Sequence, residues 1–214
     1  MTKPTAHIAA NIFTGQQLLQ NQAIITANGM IEKVIHAKDI DKDAFDVYDY
    51  GNATLTPAFI DIQLYGANNR LLAVMPDSKT VEEIYRYSLQ GGAAWCMPTV
   101  ATHPYEIIFA CIDAVKNYWL QDGKGVLGLH VEGPWISKAK RGAHKEDWIV
   151  KPSDEEVKKM LEYGKGIIKI ITLAPEECDD EIVSLIQSYG VVVSAGHSNA
   201  TYAVATKAFD KGIG

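Results

Sequence analysis

Gly128-Leu129-His130-Val131-Glu132-Gly133-Pro134-Trp135-Ile136, continued by Ser137-Lys138-Ala139-Lys140-Arg141-Gly142-Ala143-His144, is the stretch on which the fold turns. It begins as a buried strand, with Val126, Leu127, Leu129 and Val131 apolar, and breaks at Gly133-Pro134. Side chains alternate across a strand, so His130 and Glu132 share a face and the break leaves Glu132 at the C-terminal end. A carboxylate there is costly unless a cation or hydrogen bonds compensate it. Val191 to His197 ends in the same way, with Ser198-Asn199-Ala200 after it. Polar groups at the C-terminal ends of two buried strands indicate a site at the mouth of an α/β barrel. The plain reading of each is a hydrogen-bonded structural residue. The sharper reading is metal binding, since carboxylate and imidazole are ordinary ligands for zinc and related divalent ions, although two ligands do not by themselves make a site.

Outward from this stretch, buried strands alternate with capped helices from residue 55 onward, which predicts parallel βα units. Leu55–Tyr65 reads as the first strand. Thr80 and Glu83 form a capping box for a helix with Val81, Ile84, Tyr85, Ser88 and Leu89 inward, stopped by Gly91-Gly92. Ala93–Ala101 is the second strand. His103-Pro104 opens a helix whose apolar face is Ile107, Ile108, Cys111, Ala114, Val115, Tyr118 and Trp119. Residues 126–132 are the third strand, and Ser153 caps a helix with Val157, Met160 and Leu161 inward. Ile167–Leu173 is the fourth strand and Val191–His197 the fifth. Helices are predicted over 180–189 and 199–210, the latter capped by Ser198 and Asn199, and Gly212-Ile213-Gly214 would begin a sixth strand. Ahead of these units, residues 6–50 read as short strands, with a hairpin over 23–35 turning at Asn28-Gly29. The fold class is therefore α/β: a small β domain over 1–54 and a partial TIM-type (β/α) barrel of about five units over 55–214. Five units do not close an eight-stranded barrel.

A chain of 214 residues with 47% hydrophobic and 21% charged residues reads as soluble and globular, one sizeable domain plus a small appendage. A net charge of −6 argues against a nucleic-acid partner. No signal-peptide core opens the chain and no apolar run approaches bilayer length, so no membrane partner is expected. Cys96, Cys111 and Cys178 are odd in number and far apart, which fits reduced, buried thiols and a cytoplasmic location.

The words of the sequence carry more. His130-Val131-Glu132-Gly133-Pro134-Trp135-Ile136 and Lys140-Arg141-Gly142-Ala143-His144 resemble the N-acetylglucosamine-6-phosphate deacetylases of the amidohydrolase superfamily. Thr56–Gly66, Leu173–Glu176 and Ser194–Ala200 match that family in the same order. The resemblance implies hydrolysis of N-acetylglucosamine 6-phosphate to glucosamine 6-phosphate and acetate, by attack of a metal-bound hydroxide on the acetamido carbonyl. One divalent ion, zinc, would be held by Glu132 and His197. The third ligand, a His at the end of strand six, and the Asp that acts as general base both fall beyond Gly214, so no catalytic residue is expected within the chain. Ala143 and His144 match positions that contact the sugar phosphate. The small β domain would be part of a sandwich completed by strands from the C-terminal end.

Many amidohydrolases end the first strand with His-x-His, which supports a second metal. Here the matching positions are Gln63 and Tyr65, poor zinc ligands, with Asp61 preceding on the same face. A single ion with Gln63 near it is expected. Two other readings stand beside the first. One is a different amidohydrolase, a cyclic-amide hydrolase or deaminase, against which the missing His-x-His and the Glu132–Trp135 segment count. The other is an inactive truncated barrel. Its open edges would be covered by a second polypeptide or another copy, which predicts a homo-oligomer.

Several residues keep two readings. His144 is either a substrate contact or a loop imidazole in water. Lys138, Lys140, Arg141 and Lys145 are either a solvated face or a patch that steers an anion. Trp135 either packs the loop or lines the pocket. His130 is expected to be a structural strand residue and His103 part of a helix entry, and His7 and His36 have no visible partners.

Overall fold

A computed structural model describes residues 3–214 and divides into two compact units, Met1–Ala58 and Phe59–Gly214. In the first unit, β1 (Thr5–Ile8), β4 (Gln22–Ala27), β5 (Met30–His36) and β6 (Asp46–Asp49) form a sheet in the order β5-β4-β1-β6. A second sheet has β2 (Asn11–Phe13) between β3 (Leu18–Gln20) and β7 (Thr54–Leu55). Ala6, Ala9, Ile12, Ala23 and Ile25 are buried apolar residues of this unit. Asn28 and Gly29 both have positive φ, 53° and 77°, as a tight two-residue hairpin between β4 and β5 requires. His7 does have partners here, the Tyr50 hydroxyl at 3.1 Å and Thr26 Oγ1 at 3.2 Å.

The first barrel strand begins at Phe59 rather than Leu55. Thr54 and Leu55 pair with Asn11 and Ile12 in the first unit. Pro57, which has no backbone N–H to offer a ladder, separates the two pairings.

In the second unit β8 (Phe59–Leu64), β11 (Ala93–Val100), β12 (Leu129–Glu132), β13 (Ile168–Leu173) and β14 (Val192–Ala195) form one parallel sheet in chain order, an open half-barrel. A short hairpin of β9 (Gly66–Ala67) and β10 (Arg70–Leu71) follows β8. The crossovers are α1 (Ser78–Gln90), α2 (Tyr105–Leu120), α3 (Asp154–Tyr163) and α4 (Asp180–Ser188), and α5 (Tyr202–Asp210) follows β14. Each helix turns one apolar stripe to the sheet, such as Ile108, Cys111, Ile112 and Val115 of α2 or Val157, Met160 and Leu161 of α3. Fully burying one such side chain contributes roughly 1.5–3 kcal/mol. No helix of the described residues is long and apolar enough to cross a membrane.

Register decides which face is functional. Glu132 pairs with Thr172 and Thr172 with Ser194, so these three form a row at the C-terminal ends of adjacent strands. Val191 and Val193 belong to the other side, in one core with Ile182, Ile186 and Ala208. The half-barrel's inner face at the fifth strand is thus Val192 and Ser194. Past β14, Gly214 exchanges backbone hydrogen bonds with Val193 and Ala195, at 3.0 and 2.7 Å.

Candidate metal centre

Glu132 is 3% exposed at the end of β12, and its carboxylate is surrounded. Oε1 accepts a hydrogen bond from Gln63 Nε2 at 2.9 Å and lies 3.0 Å from His197 Nε2. Oε2 accepts from the Tyr65 hydroxyl at 2.5 Å and lies 3.4 Å from His144 Nε2. Burial pushes this carboxyl up, but the contacts from His144, Tyr65 and His197 outweigh burial and hold it down at about 2. Burial, followed by the bond to Glu132, pushes the Tyr65 hydroxyl to about 12, so it stays a donor. Gln63 and Tyr65 thus give their protons to Glu132, as residues 63 and 65 of one strand face must if both point inward.

His197 sits just past β14 with φ of 50°, a left-handed conformation that costs a non-glycine residue about 1–2 kcal/mol. The loop after β12 holds it there: Ser137 N donates to the His197 carbonyl, and His197 Nδ1 lies 3.0 Å from the Lys140 carbonyl. A carbonyl only accepts, so Nδ1 carries a proton, and in the neutral ring the lone pair is on Nε2. That lone pair faces an ionised carboxylate oxygen at 3.0 Å. Two acceptors at this distance repel unless a cation, proton or metal, lies between them. Adjacent ligands of a tetrahedral zinc with bonds of ~2.0–2.1 Å are about 3.3–3.4 Å apart, so the pair fits a metal after a small adjustment. Glu132, His144 and His197 each place a ligand atom within 4.8 Å of the others.

Ala143 and His144 lie beside this pair in a cleft of about 380 Å³ that is also lined by Tyr65, Ala101, His103, Lys145 and Trp148. His144 is buried, with its ring edge-on to His197, so it is not a loop imidazole in water. The Trp148 ring packs on His103 at 4.6 Å between centroids, and Lys145 Nζ lies 4.6 Å from the Trp148 centroid. His103 Nδ1 contacts the Ala101 carbonyl ahead of α2. Trp135 is fully buried and donates to the Tyr105 hydroxyl, which removes it from the pocket wall. His130 bridges the barrel interior, from the Ile62 carbonyl at 2.9 Å to Thr172 Oγ1 at 2.8 Å. Of the basic cluster, Arg141 braces the loop by donating to the His144 carbonyl, and Lys138 and Arg141 both approach Glu146. Thr102 and Thr172, which hold the imidazoles, escaped sequence reasoning, because a threonine beside a strand end has no distinguishing pattern.

Residues 6–47 match the family model of the NagA composite domain. The N-acetylglucosamine-6-phosphate deacetylase of Haemophilus influenzae is 33% identical over 94% of this chain and 52% of its own length. The N-acetylgalactosamine-6-phosphate deacetylase of a Shewanella species is 31% identical over 95% of this chain and 52% of its own. A crystal structure of the N-acetylglucosamine-6-phosphate deacetylase from Pasteurella multocida superposes with a TM-score of 0.90 at 32% identity, covering 98% of this chain and 55% of that one. The chain spans about half the length of the curated relatives it matches.

Proposed function

We infer from this chain's place in the N-acetylglucosamine-6-phosphate deacetylase family, whose N-terminal half it matches, that it carries the metal-binding part of an amide hydrolase acting on N-acetylglucosamine 6-phosphate. The observation that carries this reading is the convergence of Glu132 Oε1 and His197 Nε2 to 3.0 Å at the ends of two strands, with His197 Nδ1 turned to the Lys140 carbonyl. Glu132 and His197 would hold one divalent ion, with zinc favoured by the carboxylate–imidazole pair. When bound, the ion would polarise the amide carbonyl and bring the pKa of a water toward neutrality.

The chain's own residues do the rest. Gln63 and Tyr65 each satisfy one carboxylate oxygen of Glu132, which fixes its plane without adding a ligand. An amide and a phenol are poor zinc ligands, and both side chains are turned to Glu132, so one metal per chain is expected. The Lys140 carbonyl fixes the His197 tautomer and ring orientation. Ala101, Ala143 and Trp148 give the cleft an apolar wall beside the metal pair, and His144 and Lys145 give it polar atoms for a sugar phosphate. Lys138, Lys140 and Arg141 on the same loop add positive charge that would speed encounter with an anion. The Shewanella relative acts, by its name, on the galactosamine epimer, so that sugar is the second substrate to test.

The test is zinc content of the purified chain together with acetate release from both sugar phosphates. One zinc per chain is expected, with acetate release abolished by a chelator and by Glu132→Gln. Turnover should be slow, because Glu132 is the one carboxylate that lines the cleft among the described residues and it is already engaged. Absence of a free general base costs on the order of 10²–10⁴-fold. A chain that takes up no zinc, or releases acetate equally well with chelator, would sink the reading.

A further inference from the structure

By distance alone Glu132, His144 and His197 look like three ligands for one ion. Their hydrogen bonds say otherwise. Thr102, 2% exposed just past β11, presents two atoms to His144 Nδ1: its backbone nitrogen at 3.3 Å and its Oγ1 at 2.7 Å. A backbone N–H can only donate, so Nδ1 must accept. Thr102 Oγ1 then gives its proton to the same nitrogen. In the alternative arrangement Nδ1–H would donate to Oγ1 and Oγ1 to the Glu132 carbonyl, 3.3 Å away. That would set the Thr102 N–H against the ring N–H, two donor hydrogens facing each other. With Nδ1 accepting, the ring proton of His144 is on Nε2, directed at Glu132 Oε2 and the cleft. In His197 the Lys140 carbonyl puts the proton on Nδ1 instead.

We propose that Thr102 is a positioning residue that holds His144 in the Nε2–H tautomer, opposite to His197, so that of the two imidazoles only His197 offers a lone pair to a metal. This rests on the reading of Glu132 and His197 as the metal pair, and it makes His144 a hydrogen-bond donor beside the ion rather than its third ligand. The hydroxyl of Thr102 has little freedom to do anything else. Gly133, with φ of 82°, lies so close that a Cβ there would strike Oγ1. The loop fixes the other side of His144: its N–H donates to the Arg141 carbonyl at 3.1 Å, and its carbonyl accepts from Arg141 at 3.0 Å.

Two-bond ¹H–¹⁵N spectra of the histidine-labelled, metal-free chain report each ring tautomer directly. They are recorded about two pH units above the ordinary imidazole value of ~6.5. Expected are an Nε2–H pattern for His144 and an Nδ1–H pattern for His197. His130 serves as a reference, because its Nδ1 faces the Ile62 carbonyl and must be protonated. Thr102→Val removes the hydroxyl but keeps the backbone N–H that makes Nδ1 an acceptor, so His144 should stay Nε2–H with a shifted Nδ1 resonance, and Thr102→Ser should restore the wild-type shift. An Nδ1–H pattern for His144 in the wild type overturns the proposal whether or not the valine variant folds. Zinc titration is the second measurement. His197→Gln, which removes a ligand, should weaken binding more than His144→Gln, which removes only a hydrogen bond to Glu132 and should stay within the ~10–100-fold that loss of a ligand's support costs. Equal losses would make His144 a ligand and overturn the assignment. A wild type that binds no zinc would refute the metal reading alone, leaving the spectra to decide the tautomers.

Discussion

Gly133 constrains the loop after β12, because it combines φ of 82° with a position where any Cβ would strike Thr102 Oγ1. Gly133→Ala must accept left-handed strain and push a buried hydroxyl off His144. An expected loss of about 1–3 kcal/mol follows, read from urea unfolding. An unchanged unfolding midpoint would mean that Thr102 moves freely and holds nothing. Sequence exposed Glu132 and His197 because a charged or imidazole side chain ending a buried apolar run is conspicuous. Thr102 stayed hidden because its partner is His144, 42 residues away, and only the curl of the loop brings them together.

Helix starts show what an element's own sequence leaves undecided. At α1 the sequence offers a Thr80 capping box, but the structure places the N-cap at Asp77. Asp77 accepts from Thr80 N at 2.7 Å and pairs with Arg70 from β10. At α5 the cap is Thr201, because Glu176 takes the Ser198 hydroxyl and the Asn199 N–H. Leu89, on the inward stripe by periodicity, is 50% exposed at the last turn of α1. Asp77→Ala should cost about 1 kcal/mol and Asp77→Asn less, since Asn also caps. Burial raises the Asp77 carboxyl, but the bonds from Thr80 and Arg70 outweigh it and hold the group below its ordinary 3.8. A depressed folded-state pKa contributes stability above the unfolded value and loses it as pH falls through the folded one. The gap between wild type and Asp77→Ala in urea should therefore be full at neutral pH and shrink below 3.8. A gap that persists in acid would assign the effect to helix propensity rather than to the charged cap.

At the scale of the molecule, the half-barrel leaves apolar side chains in water. Phe59, Ile60 and Ile62 on β8, Trp95 on β11 and Val192 on β14 are all exposed. Parallel strands are ordinarily covered on both faces, and a patch of this kind favours association. Light scattering of the purified 23.5 kDa chain is expected to give a mass above the monomer, or an apolar dye should bind it strongly. A dispersed monomer that binds no dye would contradict this.

Alternation and 3.6-residue periodicity were sufficient for the order of strands and helices, and for Glu132 and His197 at the ends of their strands. Those patterns arise locally, since burying one face of a strand or helix constrains each residue by its own position. Which side of β14 faces the core, where β8 begins, and which oxygen or carbonyl each imidazole meets are settled only in three dimensions. They depend on register between strands and on atoms contributed from tens of residues away. The contrast between the two imidazoles is of this second kind: identical side chains, distinguished by whether an N–H or a C=O stands behind the ring.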